Sequence, residues 1–338
     1  MSTLGVIVPC RDEAAVIERK IADLARALWP AGGGHRIVVV DDQSTDGTAA
    51  RAREAAALHF AARTDVAVDV VANSVRPGKP GTVETALEIL EPRVELVVLT
   101  DADVLVEAGA LAALARAFAR DPRLGMACGA QRFLSDAGEA FDRWTARVRR
   151  LESLSGRLFS VHGQLLAWRA EFRLRPRAGI AADDLDLMLQ VRTRASGPRR
   201  VALARDAVFL ESKTPAGPAR RTQALRRARA YLQFVRASSP RFPDAISRVQ
   251  WSFYRRVPPA VPALTAVVPL LATAIAWMLG GAGAALVAVL LAALVLTSPP
   301  GWRFAKLALL IRDANRRESE ASLPERWETD RCTTPARR

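Results

Sequence analysis

The first 130 residues alternate short apolar runs with amphipathic ones. Val6-Ile7-Val8 is a brief apolar strand closed by Pro9. Beyond it Ile17, Ile21, Leu24 and Leu28 recur at the three- to four-residue spacing of a helix, with Asp12 placed to cap it. Gly32-Gly33-Gly34 turns the chain back, and residues 36–41 read as a second strand. Residues 66–72 and 94–100 read as further strands, Leu111, Leu114 and Phe118 mark another helix, and residues 124–129 suit an edge strand. Runs of Val, Ile and Leu between helices predict an α/β, Rossmann-like fold, its mostly parallel sheet flanked by helices on both faces. Ligands of such sheets bind at the carboxyl ends of the strands.

A different pattern follows. From Pro259 to Pro300 the chain runs 42 residues without a charged side chain, well over the roughly 20 that one bilayer crossing needs. Gly280-Gly281 divides this stretch, which predicts a C-terminal transmembrane helical hairpin with arms at 257–279 and 282–297. Met1-Ser-Thr-Leu-Gly has no basic stretch ahead of an apolar one, so no signal peptide is expected.

Charge sharpens the division. The 338 residues carry 49 Lys+Arg against 35 Asp+Glu, a net +14. Residues 213–256 hold eleven basic side chains and one acid, residues 301–338 hold nine and six, and residues 1–212 are left at +1. Four regions follow: a catalytic-sized domain over 1–212, a basic interfacial helical segment over 213–256, the hairpin over 257–298 and a basic tail over 299–338. Basic flanks at both ends of the hairpin predict an inner-membrane protein with its domain and tail on the cytoplasmic side. Tyr231, Phe234, Phe242, Trp251, Phe253 and Tyr254 gather before the span, as in an interfacial aromatic belt, so the charge points to an anionic membrane surface and not to nucleic acid. Half of the residues are apolar, which excludes a disordered chain, and three cysteines make neither a disulfide framework nor a zinc site.

The loops after the strands carry the chemistry. They read Pro9-Cys10-Arg11-Asp12-Glu13, then Asp41-Asp42-Gln43-Ser44-Thr45-Asp46-Gly47-Thr48, then Gly78-Lys79-Pro80, then Asp101-Ala102-Asp103. No Gly-x-Gly-x-x-Gly follows the first strand and Gly78-Lys79 lacks the rest of a P-loop, so two common nucleotide-binding readings fail. Two acids leaving a strand end at Asp101 and Asp103 suit a hard divalent cation, Mg²⁺ or Mn²⁺, that shares substrate phosphates, although exposed turns also take this form. Ser44, Thr45 and Asp46 are ordinary turn and cap residues, whereas adjacent acids ending a buried strand suggest bonding to a base or ribose. Lys79 reads either as a solvated loop lysine or as a point charge beside phosphate. Asp183 and Asp184 open an apolar helix, where a carboxylate can cap or serve as a general base.

The order of these elements resembles family 2 glycosyltransferases of the GT-A fold, over roughly residues 3–235. The layout is similar to that of cellulose, hyaluronan and ceramide-sugar synthases. The resemblance implies transfer of a sugar, with inversion, from a nucleoside-diphosphate sugar to a hydroxyl of a membrane lipid or lipid-linked glycan. Nucleotide binding falls to Pro9, Glu13, Asp41, Asp42, Lys79 and Asp101, and the metal to Asp101 and Asp103. Asp184 takes the place of the catalytic base. Gly163, Gln164, Trp168 and Asp183 belong to the acceptor side, and Arg226 and Arg229 to the diphosphate. Two departures stand out: Ala230 replaces the family's tryptophan after Arg226-Arg227-Ala228-Arg229, and Asp12-Glu13 replaces Asn-Glu. Metal-dependent nucleotidyl transfer, or a non-enzymatic basic protein of the membrane surface, are the alternatives from other classes.

Overall fold

The computed structural model describes residues 2–133, 140–211, 217–297 and 299–318. They form two compact units, the first within residues 2–211 and the second within residues 217–318.

In the first unit, strands β1 (Leu4–Cys10), β2 (His35–Asp41) and β3 (Val66–Ala72) alternate with helices α1 (Ile17–Arg26), α2 (Thr48–Phe60) and α3 (Lys79–Leu90). There follow β4 (Leu96–Leu99), β5 (Leu105–Val106), α4 (Ala110–Arg120), β6 (Leu124–Phe133), α5 (Ala140–Leu154), β7 (Leu166–Arg169), α6 (Asp183–Arg192) and β8 (Arg200–Glu211). The eight strands make one sheet in the order β3-β2-β1-β4-β7-β6-β8-β5. Pairings from β3 through β4 are parallel, as the alternating pattern predicts. The far half is mixed, because β7 runs antiparallel to both β4 and β6 and β5 runs antiparallel to β8. With β6 and β8 parallel as well, four of the seven pairings are parallel, so the expected mostly parallel sheet flanked by helices is present, with antiparallel joins in its far half.

Burial follows the period. Val6 and Val8 of β1 join Ile17, Ile21 and Leu24 of α1 and Leu111, Leu114 and Phe118 of α4 in one core. Two local expectations fail. Leu28 lies beyond the end of α1 and is 61% exposed. Asp12 does not cap α1; its φ of 51° is left-handed, and its carboxylate accepts the Thr45 N–H instead.

The second unit contains α7 (Pro218–Ala237), α8 (Ala245–Thr297) and α9 (Pro299–Glu318). Its small core joins Leu232, Val261, Ala308, Ile311 and Ala314. The apolar run lies in α8, which breaks at Gly281, where φ is 67° and ψ is −157°. Among the described residues one helix, Ala245–Ala292, whose most apolar 18-residue stretch has a mean hydropathy of 2.2, is long and apolar enough to cross a membrane. The expected aromatic belt is largely internal: Phe234 and Phe242 pack on Trp251 and all three are buried, while Phe253 is exposed. Large rings gain more from mutual burial than from a half-wet position. The first part of the predicted tail is helical as α9; residues 319–338 lie outside the described residues.

Candidate active site

Several of the predicted site residues of the first unit, Asp41, Asp42, Lys79, Asp101, Asp183 and Asp184 among them, lie in the loops and helix starts around the carboxyl ends of the parallel strands. Two loops are tied together there before any substrate is considered. The Asp12 N–H donates to Ser44 Oγ at 2.8 Å, the Glu13 N–H to Thr48 Oγ1 at 2.7 Å and the Ala14 N–H to an Asp46 carboxylate oxygen at 2.9 Å. Partial burial opposes ionisation of Asp46, yet the bonds from Thr48 and Ala14 outweigh it and hold the carboxyl below its usual range. Pro9 lies within β1 and the Glu13 side chain is buried.

The adjacent acids at the end of β2 divide their work. Asp42 is wholly buried and accepts from Arg11 at 3.2 Å, from the Asn73 amide at 2.7 Å and from the Gly78 N–H at 2.8 Å. Its carboxylate is committed to holding three loops together. Asp41 accepts from the Ser44 N–H through Oδ2 at 3.2 Å, while its Oδ1 is buried with no protein donor. A buried acceptor without a partner costs about 1–3 kcal/mol, so it favours an incoming N–H or O–H group.

The chemical centre is a lysine among four acids. Lys79 opens α3 after Gly78, whose φ of 97° sets the tight entry. Its Nζ donates to Asp101 at 2.6 Å and lies 4.0 Å from Asp183. Burial alone would lower this ammonium, but Asp101, Asp183 and Asp184 outweigh it and hold it above its ordinary value. Asp103 is exposed at the rim, its carboxyl raised by desolvation in the cleft and then by Asp101. Asp183 is buried, and its Oδ2 has no hydrogen-bond donor. The Asp184 carboxyl is pushed up to about 6, first by burial and then by Asp183, against the pull of Lys79 and of the Leu185 and Gly163 N–H groups. Gly163 lies close to both: a Cβ there would be 3.3 Å from Lys79 Nζ, a tight approach, and 3.6 Å from Asp184 Cβ, an ordinary contact.

No three carboxylate, His or Cys side chains cluster into a metal cage among the described residues. Asp101 and Asp103 offer two hard oxygen ligands at an open rim, so a cation there would complete its shell from substrate phosphates and water, as Mg²⁺ and Mn²⁺ do. The residues fit such a shared site.

Two supporting residues escaped the sequence reading. Lys20 is fully buried on α1, and its ammonium donates to Thr100 Oγ1 at 2.8 Å and to the Val104 carbonyl at 3.0 Å. One turn on, Asp23 accepts the Val106 N–H at 2.7 Å, so α1 grips the Asp101-to-Asp103 turn on both sides. Burial lowers the Lys20 ammonium to about 8, with Asp23, Asp101 and Asp103 opposing. The signal was present, since residues 17, 20, 21 and 24 share one helix face, but a lysine on an apolar face reads as a break in it. Arg149 of α5 is the second, likewise buried.

Trp168 corrects an expectation. It is 0% exposed within β7, opposite Val97 of β4 and Met126 of β6, so it packs the sheet and cannot meet an acceptor. Trp168→Ala is expected to cost roughly 3–5 kcal/mol in urea or thermal unfolding, as large buried rings do. Gln164 is half-buried beside Gly163. Arg226 and Arg229 lie one turn apart on α7, in the second unit.

With this geometry in view, the comparisons with known proteins are specific. The family model described as Glycosyltransferase like family 2 matches residues 2–230. No curated protein matches the chain. Among solved structures, a Pyrobaculum calidifontis mannosyltransferase, PcManGT, in complex with GDP-Man and Mn²⁺, is 25% identical with a TM-score of 0.70, covering 94% of this chain and 87% of that one. S. aureus TarS 1–349 in complex with UDP shares the fold at 16% identity and a TM-score of 0.54, covering 94% of this chain and 90% of that one.

Proposed function

The chain belongs to glycosyltransferase-like family 2, and from that premise we propose an inverting transfer of a sugar from a nucleoside-diphosphate sugar to a hydroxyl of a membrane-associated lipid or glycan. The observation that carries this reading is Asp184. It is a carboxyl raised toward neutrality by burial and Asp183, and Lys79 connects its helix to Asp101 at the strand end.

In this mechanism the acceptor hydroxyl oxygen attacks the anomeric carbon. Its proton passes to the Asp184 carboxylate as the carbon–oxygen bond to the diphosphate breaks. One displacement inverts the anomeric centre. Asp41 Oδ1 takes a donor group of the nucleoside, and Asp42 keeps the three loops around it in register. Lys79 keeps a fixed positive charge at the centre, where preorganised charge is worth more than in water. A divalent cation held by Asp101 and Asp103, when bound, neutralises charge on the leaving diphosphate. Asp183, with Gly163 and Gln164, borders the acceptor. The PcManGT complex supports both a nucleotide-sugar donor and a divalent metal for this chain. The apolar α8 and the basic residues before it support attachment to a membrane with an anionic cytoplasmic face.

The test is to incubate the full chain in lipid with GDP-mannose or UDP-glucose, with Mn²⁺ or with EDTA. Nucleoside diphosphate is expected to appear from at least one donor, and EDTA is expected to suppress it at least tenfold. Release of pyrophosphate instead would place the chemistry at the α-phosphorus and overturn sugar transfer.

A further inference from the structure

Behind the wall that carries Gly163 lies a buried cation that the mechanism above does not use. Arg149 sits near the end of α5 and is 6% exposed. Its Nε donates to the Ser160 carbonyl at 2.8 Å, Nη1 bonds His162 Nε2 at 2.5 Å and Nη2 reaches Cys128 Sγ at 3.2 Å. The same sulfur accepts the His162 N–H at 3.2 Å. The Cys128 thiol is raised by burial and stays neutral, so the guanidinium has neutral acceptors at a carbonyl, an imidazole and a sulfur. Burying a charge among neutral acceptors costs stability, which its hydrogen bonds only partly offset.

What it enforces is the turn from Ser160 to Gly163. An arginine can only donate, so His162 Nε2 must accept, which fixes the ring as the neutral tautomer protonated at Nδ1. One residue further on, Gly163 lies against Asp184, since a Cβ there would be 3.6 Å from Asp184 Cβ and 3.9 Å from its Oδ2, and the Gly163 N–H favours the ionised carboxylate. We propose that Arg149 is a positioning residue for the catalytic base: its two bonds to the Ser160–Gly163 turn, and a third to Cys128 that itself holds the His162 N–H, keep Gly163 and its N–H seated against Asp184. This inference rests on Asp184 being the base.

Other groups also face Asp184: Asp183 on its own helix, Lys79 from α3 with Asp101 beyond it, and Cys128 from β6. Asp183, Lys79 and Asp101 do not touch Arg149, and Cys128, which does, is raised by burial and stays neutral without it, so a change in the titration of the base reports on the Gly163 N–H and on the guanidinium charge. Lysine separates those two. It keeps the charge but lacks the planar fork needed to hold three acceptors.

The experiment compares pH–rate profiles of transfer for the full chain, Arg149→Met and Arg149→Lys, each checked for nucleotide binding. Both variants are expected to lose kcat by roughly tenfold, a fraction of what a general base supplies, while KM for the donor stays within twofold. Their acid limbs are expected to move to higher pH, because the carboxylate loses a donor. Unshifted acid limbs would reduce Arg149 to a packing residue, and a Lys variant that behaves as the parent would assign the effect to charge alone. Either result overturns the proposal. If Arg149→Met does not fold, His162→Asn carries the same expected shift. Transfer persisting in Asp184→Asn would sink the base assignment itself, and so is distinguishable from failure of this inference.

Discussion

Asp184→Asn is expected to lower kcat for transfer by about 10²–10⁴, the usual worth of a placed general base, while the affinity for nucleoside diphosphate changes less than twofold. A carboxamide matches the carboxylate in shape, so the Leu185 and Gly163 N–H groups still find an acceptor oxygen. What disappears is the capacity to take a proton. The parent should show a matching pH dependence. Its carboxyl is raised to about 6 by burial and Asp183, so the active, ionised form grows as pH rises through that value. Activity should therefore climb across the mildly acid range and level off above it, and the residual rate of the variant should lack that limb. Stability has the opposite sign. A carboxyl whose folded pKa lies above its unfolded one favours the fold in acid and loses that contribution as pH rises through the folded pKa. Asp184→Asn should consequently melt at a higher temperature than the parent at pH 8 and at nearly the same temperature only below the unfolded carboxyl's 3.8, where both states are protonated. A variant that is inactive and also less stable in both ranges would be misfolded, and would say nothing about the base.

Lys79→Met should have the second-largest effect. This lysine binds Asp101 at 2.6 Å and stands 4.0 Å from Asp183, with both ends of the Asp101 pair largely shielded from water. Its removal leaves Asp101, Asp183 and Asp184 without the cation between them. Breaking a shielded pair by deleting one partner costs on the order of 3–5 kcal/mol, part of which the acids recover by taking up protons. The expected outcome is a loss of 10²–10³ in kcat/KM, comparable to removing one preorganised electrostatic group. Because Lys79 pulls the Asp184 carboxyl down, the acid limb of the remaining activity should also shift to higher pH. Lys79→Arg should restore little, because a planar guanidinium does not reproduce the compact point charge that Nζ places 2.6 Å from Asp101. Steady-state kinetics with both substrates varied would decide the matter, and near-parental rates for Lys79→Met would remove the lysine from the mechanism.

Much of this site was legible in the sequence, and for a physical reason. Loops at the carboxyl ends of parallel strands must collect ligand-binding groups, so Asp41, Asp101 and Lys79 could be placed near one another from order alone. The family pattern then singled out Asp184, which sequence logic left as either cap or base. Trp168 was misread because an indole beside Gly163 and Gln164 in a motif looks like a surface for sugar. Only the pairing of β7 between β4 and β6 shows that it points into the sheet.

By itself, then, the sequence determined periodicity and chemistry: the parallel half of the sheet, the uncharged run, the basic belt and the acids at the strand ends. These depend on neighbours within a few residues, which is the range over which hydrophobic period and turn chemistry act. Tertiary structure decided which polar groups are spent inside the protein and which remain for substrate. Asp41 and Asp42 are adjacent and chemically identical, yet one is consumed by Arg11, Asn73 and Gly78 while the other keeps a buried oxygen without a donor. Lys20 and Arg149 are charged residues whose places could be settled only by what surrounds them: Thr100 and Val104 for one, Ser160, His162 and Cys128 for the other. The cost of burying a charge is repaid by partners distant in the chain, and the sequence order does not say which partners those are.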